Sequence, residues 1–159
     1  MFKNTLFATI VLTFMTTSAF ADWQYTNWKM PPDEVVKSSD NTASKPNYPD
    51  VIEGGFVEHL LSAPYNTKKF NFVANFWFDK QDQGLRMVAL KLLDTDQCPN
   101  LISELNIRYG YNEPNKRTLM HFYGWKDLEG ENTVSLQVLP NRFCDLRYQP
   151  FAGPADEGL

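Results

Sequence analysis

The 159-residue chain is poor in the side chains from which most active centres are built. It has two histidines, His59 and His121, and two cysteines, Cys98 and Cys144. It has no His-Glu-x-x-His metal pair, no Gly-x-Ser-x-Gly nucleophile elbow and no glycine-rich phosphate loop. Basic residues are in the minority, 15 against 19 acidic, and they never cluster as a nucleic-acid-binding face requires. No apolar run reaches the roughly 20 residues that span a bilayer. There is no Asn-x-Ser/Thr glycosylation acceptor. Catalysis, metal binding, nucleic-acid binding and membrane spanning all lack their usual sequence support, so no cofactor and no metal site are expected.

The first segment is legible as an address. Lys3 supplies a positive start, Leu6–Met15 a short apolar stretch broken by Thr9 and Thr13, and Ala19 and Ala21 the small residues before a cleavage site. Those three parts in that order predict a secretory signal peptide over 1–21. No cysteine stands at the cleavage site to carry a lipid anchor. Removing 21 of the 159 residues leaves 138, enough for one domain with a core and too few for two. The expected location is periplasmic or secreted, where Cys98 and Cys144 form a disulfide.

The expected organisation is a single domain over 22–150 and a flexible tail over 151–159. Residues 22–30 look extended, and Pro31-Pro32-Asp33-Glu34 opens a short helix with proline and acid in its first turn. A polar connection over 38–50 follows and is expected to be the most mobile internal segment. From Phe56 the period becomes two. Phe70, Phe72, Ala74, Phe76 and Phe78 share one face of a strand, with Asn71, Val73, Asn75, Trp77 and Asp79 on the other. Asp79–Gly84 is a hairpin loop, and Leu85–Leu93 returns as a strand. Residues 98–109 recover helical spacing through Leu101, Ile102, Leu105 and Tyr109, with Pro99 at the start and Gly110 at the end. Strands near 117–126, 131–139 and 142–149 complete an α-β-β-β-α-β-β-β order. This is an α+β fold: an antiparallel sheet of about six strands with two helices packed on one face. The repeated unit hints at two similar halves.

Trp23, Tyr25 and Trp28 are the candidate binding residues. They either pack over the sheet, as buried aromatics usually do, or form an exposed patch that docks a partner. His59 and His121 each sit in a strand, where a hydrolase would need Glu58 or a serine beside them; a surface or core role needs nothing more. Asp79, Asp82, Asp94 and Asp96 fail the calcium-loop spacing and suit turns and caps.

Trp23-x-Tyr25-Thr26-x-Trp28-x-Met30-x-Pro32-x-Glu34-Val35 resembles the opening of a group of small, uncharacterised bacterial exported proteins. Phe76-x-Phe78-Asp79, Cys98-x-x-Leu101, Tyr109-Gly110, Trp125-x-Asp127 and Cys144-x-Leu146-x-Tyr148-x-Pro150 extend the likeness along the mature chain. Lys29 stands where that group usually has glycine. More distantly, the helix followed by strands resembles the small modules of the outer-membrane assembly lipoprotein SmpA/BamE and the β-lactamase inhibitor protein, which are binding modules. Together with the missing catalytic motifs, the resemblance implies an exported binding or scaffold domain whose partner is an envelope protein; a Phe ladder lining a pocket between sheet and helices would instead make the chain a carrier of a small apolar ligand.

Overall fold

The computed structural model describes residues 23–151. The signal segment with Ala19 and Ala21, and the tail beyond Phe151, lie outside the described residues. Phe151 itself is tied down, its N–H donating to the Glu131 carbonyl at 3.0 Å.

Two helices and seven strands follow one another: α1 (Pro32–Ser38), β1 (Val57–Asn66), β2 (Asn71–Asp79), β3 (Leu85–Leu92), α2 (Cys98–Tyr109), β4 (Asn115–Arg117), β5 (Met120–Asp127), β6 (Asn132–Leu139) and β7 (Phe143–Pro150). All seven strands form one antiparallel sheet in the order β1-β2-β3-β7-β6-β5-β4. The expectation of about six strands is corrected to seven. The added strand, β4, is three exposed residues long and has no apolar alternation to announce it. Each helix-plus-strands unit forms half of the sheet. The halves meet where β3 pairs with β7, with Leu90 opposite Leu146, so the last strands of the two units sit side by side at a central seam.

Local chemistry explains the helices. Pro32 occupies the first turn of α1, with Asp33 and Glu34 beside it and Lys37 in the last turn, as the helix dipole favours. Asp40 and Asn41 then take left-handed φ values of 53° and 61°, which asparagine and aspartate tolerate better than most residues. In α2, Pro99 lies in the first turn, and Gly110 ends the helix at φ 100°, ψ 156°. That φ is positive as expected, but the ψ is extended rather than left-handed helical.

The core lies on the face bearing the Phe ladder. Phe72, Ala74, Phe76 and Phe78 are buried there with Val88, Leu90, Val134, Leu136 and Leu146. Its cover is not shared evenly by two helices. Residue Val35 is buried from α1, whereas Cys98, Leu101 and Leu105 are buried from α2. The segment 23–30 adds Trp23, which is 5% exposed, and serves as a strap. This strap is two successive turns, not an extended run: Thr26 N–H donates to Trp23 O, and Met30 N–H to Asn27 O. Lys29 N–H and Met30 O then bond Leu85. Gly84 permits this approach, because a Cβ there would stand 3.0 Å from the Lys29 Cα.

The opposite face is not uniformly wet. Trp77, Met87 and Ala89 are buried on it, and Asn75 is buried beside them. The 38–50 connection that reads as mobile is anchored: Ser44 exchanges two backbone hydrogen bonds with Ser62, Ala43 is buried, and Asp50 bonds His59 and Asn75.

The Cys98–Cys144 disulfide joins the start of α2 to β7. Closing that loop stabilises the fold by roughly 4 kcal/mol in the chain-entropy model.

Lys29 has φ 69°, so the turn before α1 is made with a side chain in the left-handed region. That conformation costs an L-residue roughly 1–2 kcal/mol, and glycine's extra unfolded-state freedom offsets about half of it. Lys29→Gly is therefore expected to raise the unfolding free energy by about 0.5–1 kcal/mol in urea titration; a loss of stability would contradict the turn geometry.

Candidate functional site

Each expected site residue has a definite place. Trp23 packs edge-on against Tyr65 and Phe76, with ring centroids 5.1 and 5.8 Å away. The half-buried Trp28 donates its indole N–H to Asn132 Oδ1 at 2.9 Å, tying the strap to the second half of the sheet. Tyr25 is the most exposed of the three, at 36%. These residues do not make one continuous surface patch. The most exposed aromatic rings are Tyr48, Tyr111 and Phe56, and Tyr48 and Phe56 flank a connection that reads as plain loop. Asp79, Asp82 and Asp94 accept backbone N–H bonds from their own turns.

His59 is drawn into a contact that resembles a catalytic pair. A bulge in β1 between His59 and Leu61 shifts the alternation, so His59 and Ser62 face the same side. His59 Nε2 lies 2.8 Å from Ser62 Oγ and 3.1 Å from Leu61 O. The proton order is opposite to that of a nucleophile and its base. Asp50 N–H donates to Nδ1 at 3.0 Å, which assigns the ring proton to Nε2 as a donor. Ser62 in turn donates to Asn75 Oδ1 at 2.8 Å, and Asn75 Nδ2 donates to Asp50 Oδ2 at 3.3 Å. The circuit is closed, and the imidazole stacks on Trp77. His121 lies on β5, five strand spacings from β1, or about 24 Å. The two histidines therefore occupy separate sites.

Burial lowers the His59 pKa, and the Asp50 carboxylate opposes the shift only in part. The unfolded chain thus binds a proton here more readily than the folded one. Stability is fully present above about pH 6.5 and is lost as pH falls below that value. Urea unfolding between about pH 7.5 and 5 should show this decline, with the imidazole in its Nε2–H form by NMR at neutral pH. A rise in stability on acidification, or an imidazolium signal at neutral pH, would contradict the circuit.

The strongest candidate site is a groove on the helix side of the sheet, at the seam between the halves. Its volume is about 320 Å³, and its walls come from the strap, both halves of the sheet and the inner face of α2. Phe70, Phe72, Leu90, Leu101, Leu105 and Leu146 give it an apolar lining. Tyr65, Tyr109 and Tyr148 enter from β1, α2 and β7. The buried Tyr109 Oη is approached by the Tyr148 hydroxyl and the Arg108 guanidinium, neither with the alignment of a full hydrogen bond. Burial raises the pKa of all three phenols, so each remains an O–H donor at neutral pH.

The groove's end is held by α2. Trp125 Nε1 donates to Gly110 O at 2.9 Å and Asn106 Oδ1 at 3.2 Å, while the disulfide fixes the other end of the helix. A second hollow of about 310 Å³ lies beside the disulfide, where His121 meets Ile102, Val138 and Phe143. A third, of about 250 Å³, lies under the connection carrying Asp50. Of these three, the central groove alone draws its lining from both halves of the sheet, and it joins an apolar floor to polar groups, the usual composition of a ligand site. Arg108, Tyr65 and Tyr148 are the groove residues missed by pattern reading; helical spacing from Leu101 through Leu105 points toward Arg108, but the seam that assembles them is a long-range pairing. Among the described residues, no cluster of His, Cys, Asp and Glu is arranged to hold a metal ion. Comparison of the chain with protein-family models, curated proteins and solved structures found no match.

Proposed function

We propose that this chain is an exported binding module, without catalytic activity, that holds a small apolar ligand in the groove at the seam of its sheet. The observation that carries the reading is the groove itself: about 320 Å³ of space left on the face where a folded chain ordinarily closes its core to crystal-like density. The volume lies near the small end of the range for ligand pockets. Export rests on the signal-like first segment and accords with the Cys98–Cys144 disulfide. Among the described residues, no helix is long and apolar enough to cross a membrane. The closed hydrogen-bond circuit of His59 and the distance to His121 support a non-catalytic reading over a hydrolase.

Octanol serves as an uncharged probe small enough for this space. Calorimetry is expected to show saturable binding of one octanol per chain with a negative heat-capacity change, the mark of apolar burial. Ile107 lines the groove and is 80% exposed, so Ile107→Trp narrows the mouth without disturbing the core. That variant should weaken octanol by about tenfold or more while leaving the melting temperature unchanged. Absence of saturable binding, or binding indifferent to Ile107→Trp, would defeat the proposal.

A further inference from the structure

The same groove has a polar end, and its charges are unequal in their commitments. Glu104, Arg108 and Asp127 are the charged side chains that line it. Glu104 is ion-paired with Lys69. Asp127 turns one oxygen toward the Gly130 N–H, at 3.2 Å. Arg108 has no ion pair among the described residues; its guanidinium carbon lies 5.2 Å from the centre of the Tyr109 ring. The guanidinium thus lies close to the Tyr109 ring and hydroxyl, with no carboxylate held in an ion pair.

Tyr65, Tyr109 and Tyr148 line the same groove as that guanidinium. Its positive charge is felt at Tyr65, Tyr109 and Tyr148 alike, although those residues come from different elements. Tyr65 already accepts a hydrogen bond from Gln24 Nε2 at 3.0 Å, which leaves its own proton to give. Tyr109 Oη is buried and makes no hydrogen bond of full geometry, although the Tyr148 hydroxyl and the Arg108 guanidinium both approach it. A buried donor left unsatisfied costs about 1–3 kcal/mol, and an acceptor placed there removes that penalty. One end of the groove therefore gathers Arg108 and three phenol donors beside the Asp127 carboxylate, and the rest offers hydrocarbon.

Building on the groove reading above, we infer that the ligand is a carboxylate amphiphile, its acidic head between Arg108 and the Tyr109 and Tyr148 hydroxyls and its apolar part against Phe72, Leu105 and Leu146. A carboxylate matches the guanidinium fork with two parallel hydrogen bonds and accepts further donors on its remaining lone pairs. A neutral head of the same length forgoes the charge-assisted bonds.

The test compares octanoate with octanol on the full mature chain, reading affinity by calorimetry. The native protein should favour octanoate by about tenfold or more, the size expected of one charge-assisted contact. Arg108→Gln should bring the octanoate-to-octanol ratio to about one. Tyr109→Phe should reduce that ratio by a smaller factor and leave unfolding stability equal or higher, because an unsatisfied buried hydroxyl is removed. Arg142→Gln makes the same charge change in the β6–β7 turn, outside the groove lining, and should leave the ratio intact. Equal binding of both probes by the native protein would overturn the acidic-head inference and leave the groove reading standing. So would a preference for octanoate that survives Arg108→Gln or disappears in Arg142→Gln. Failure of both probes to bind would overturn both.

Discussion

A seven-stranded sheet must cover one apolar face with very little helix. Six strand spacings make the sheet about 29 Å wide. The helices that face it have seven and twelve residues, or about 10 and 18 Å of length. The Phe ladder of β2 and the Val, Leu and Trp side chains of β3, β5, β6 and β7 demand more cover than this provides. Much of the remaining arrangement answers that shortage. The strap over 23–30 brings Trp23 onto Tyr65 and Phe76, which explains why an aromatic residue near the expected mature N-terminus is a core residue. Lys29 stays in a strained left-handed turn because Lys29 and Met30 must reach Leu85.

The cover is pinned at its ends and open in its middle. The disulfide fixes the first residue of α2 to β7, and Trp125 fixes the helix end through Asn106 and Gly110. Trp28 ties the strap across to Asn132 on β6. Between these fastenings the helix and the strap diverge over the β3–β7 seam, and the space between them is the groove. Its apolar floor comes from the buried side chains of Phe72, Leu90 and Leu146, and its polar end comes from the last turn of α2. A fold that had to bury the whole face with helix would have no such space.

Patterns confined to a single element are legible in the amino-acid sequence. The alternation from Phe70 to Phe78, the spacing of Leu101 and Leu105 between Pro99 and Gly110, and the turn roles of Asp79 and Asp94 each depend on neighbours in the chain. What escapes such reading depends on irregular backbone or distant pairing. β4 is exposed and polar, so it has no period to detect. The extra residue Leu60 sits in a run of apolar residues, and nothing local marks the bulge that turns His59 and Ser62 to one side. Gln24 and Lys29 take positive φ values that neither residue type advertises, which makes two turns read as an extended segment. The groove needs the pairing of Leu90 with Leu146, residues whose shared location no spacing rule supplies.

The central claim is that the groove over the β3–β7 seam is the place where this protein holds its ligand. A crystal structure of the mature protein with octanoate addresses it most directly. The account predicts one ordered molecule at the β3–β7 seam, its chain against Phe72, Leu105 and Leu146 and its carboxylate hydrogen-bonded to Arg108 and the Tyr109 hydroxyl. A groove that stays empty at saturating octanoate, or one closed by α2 settling onto Leu90 and Leu146 while octanoate sits elsewhere, would contradict it.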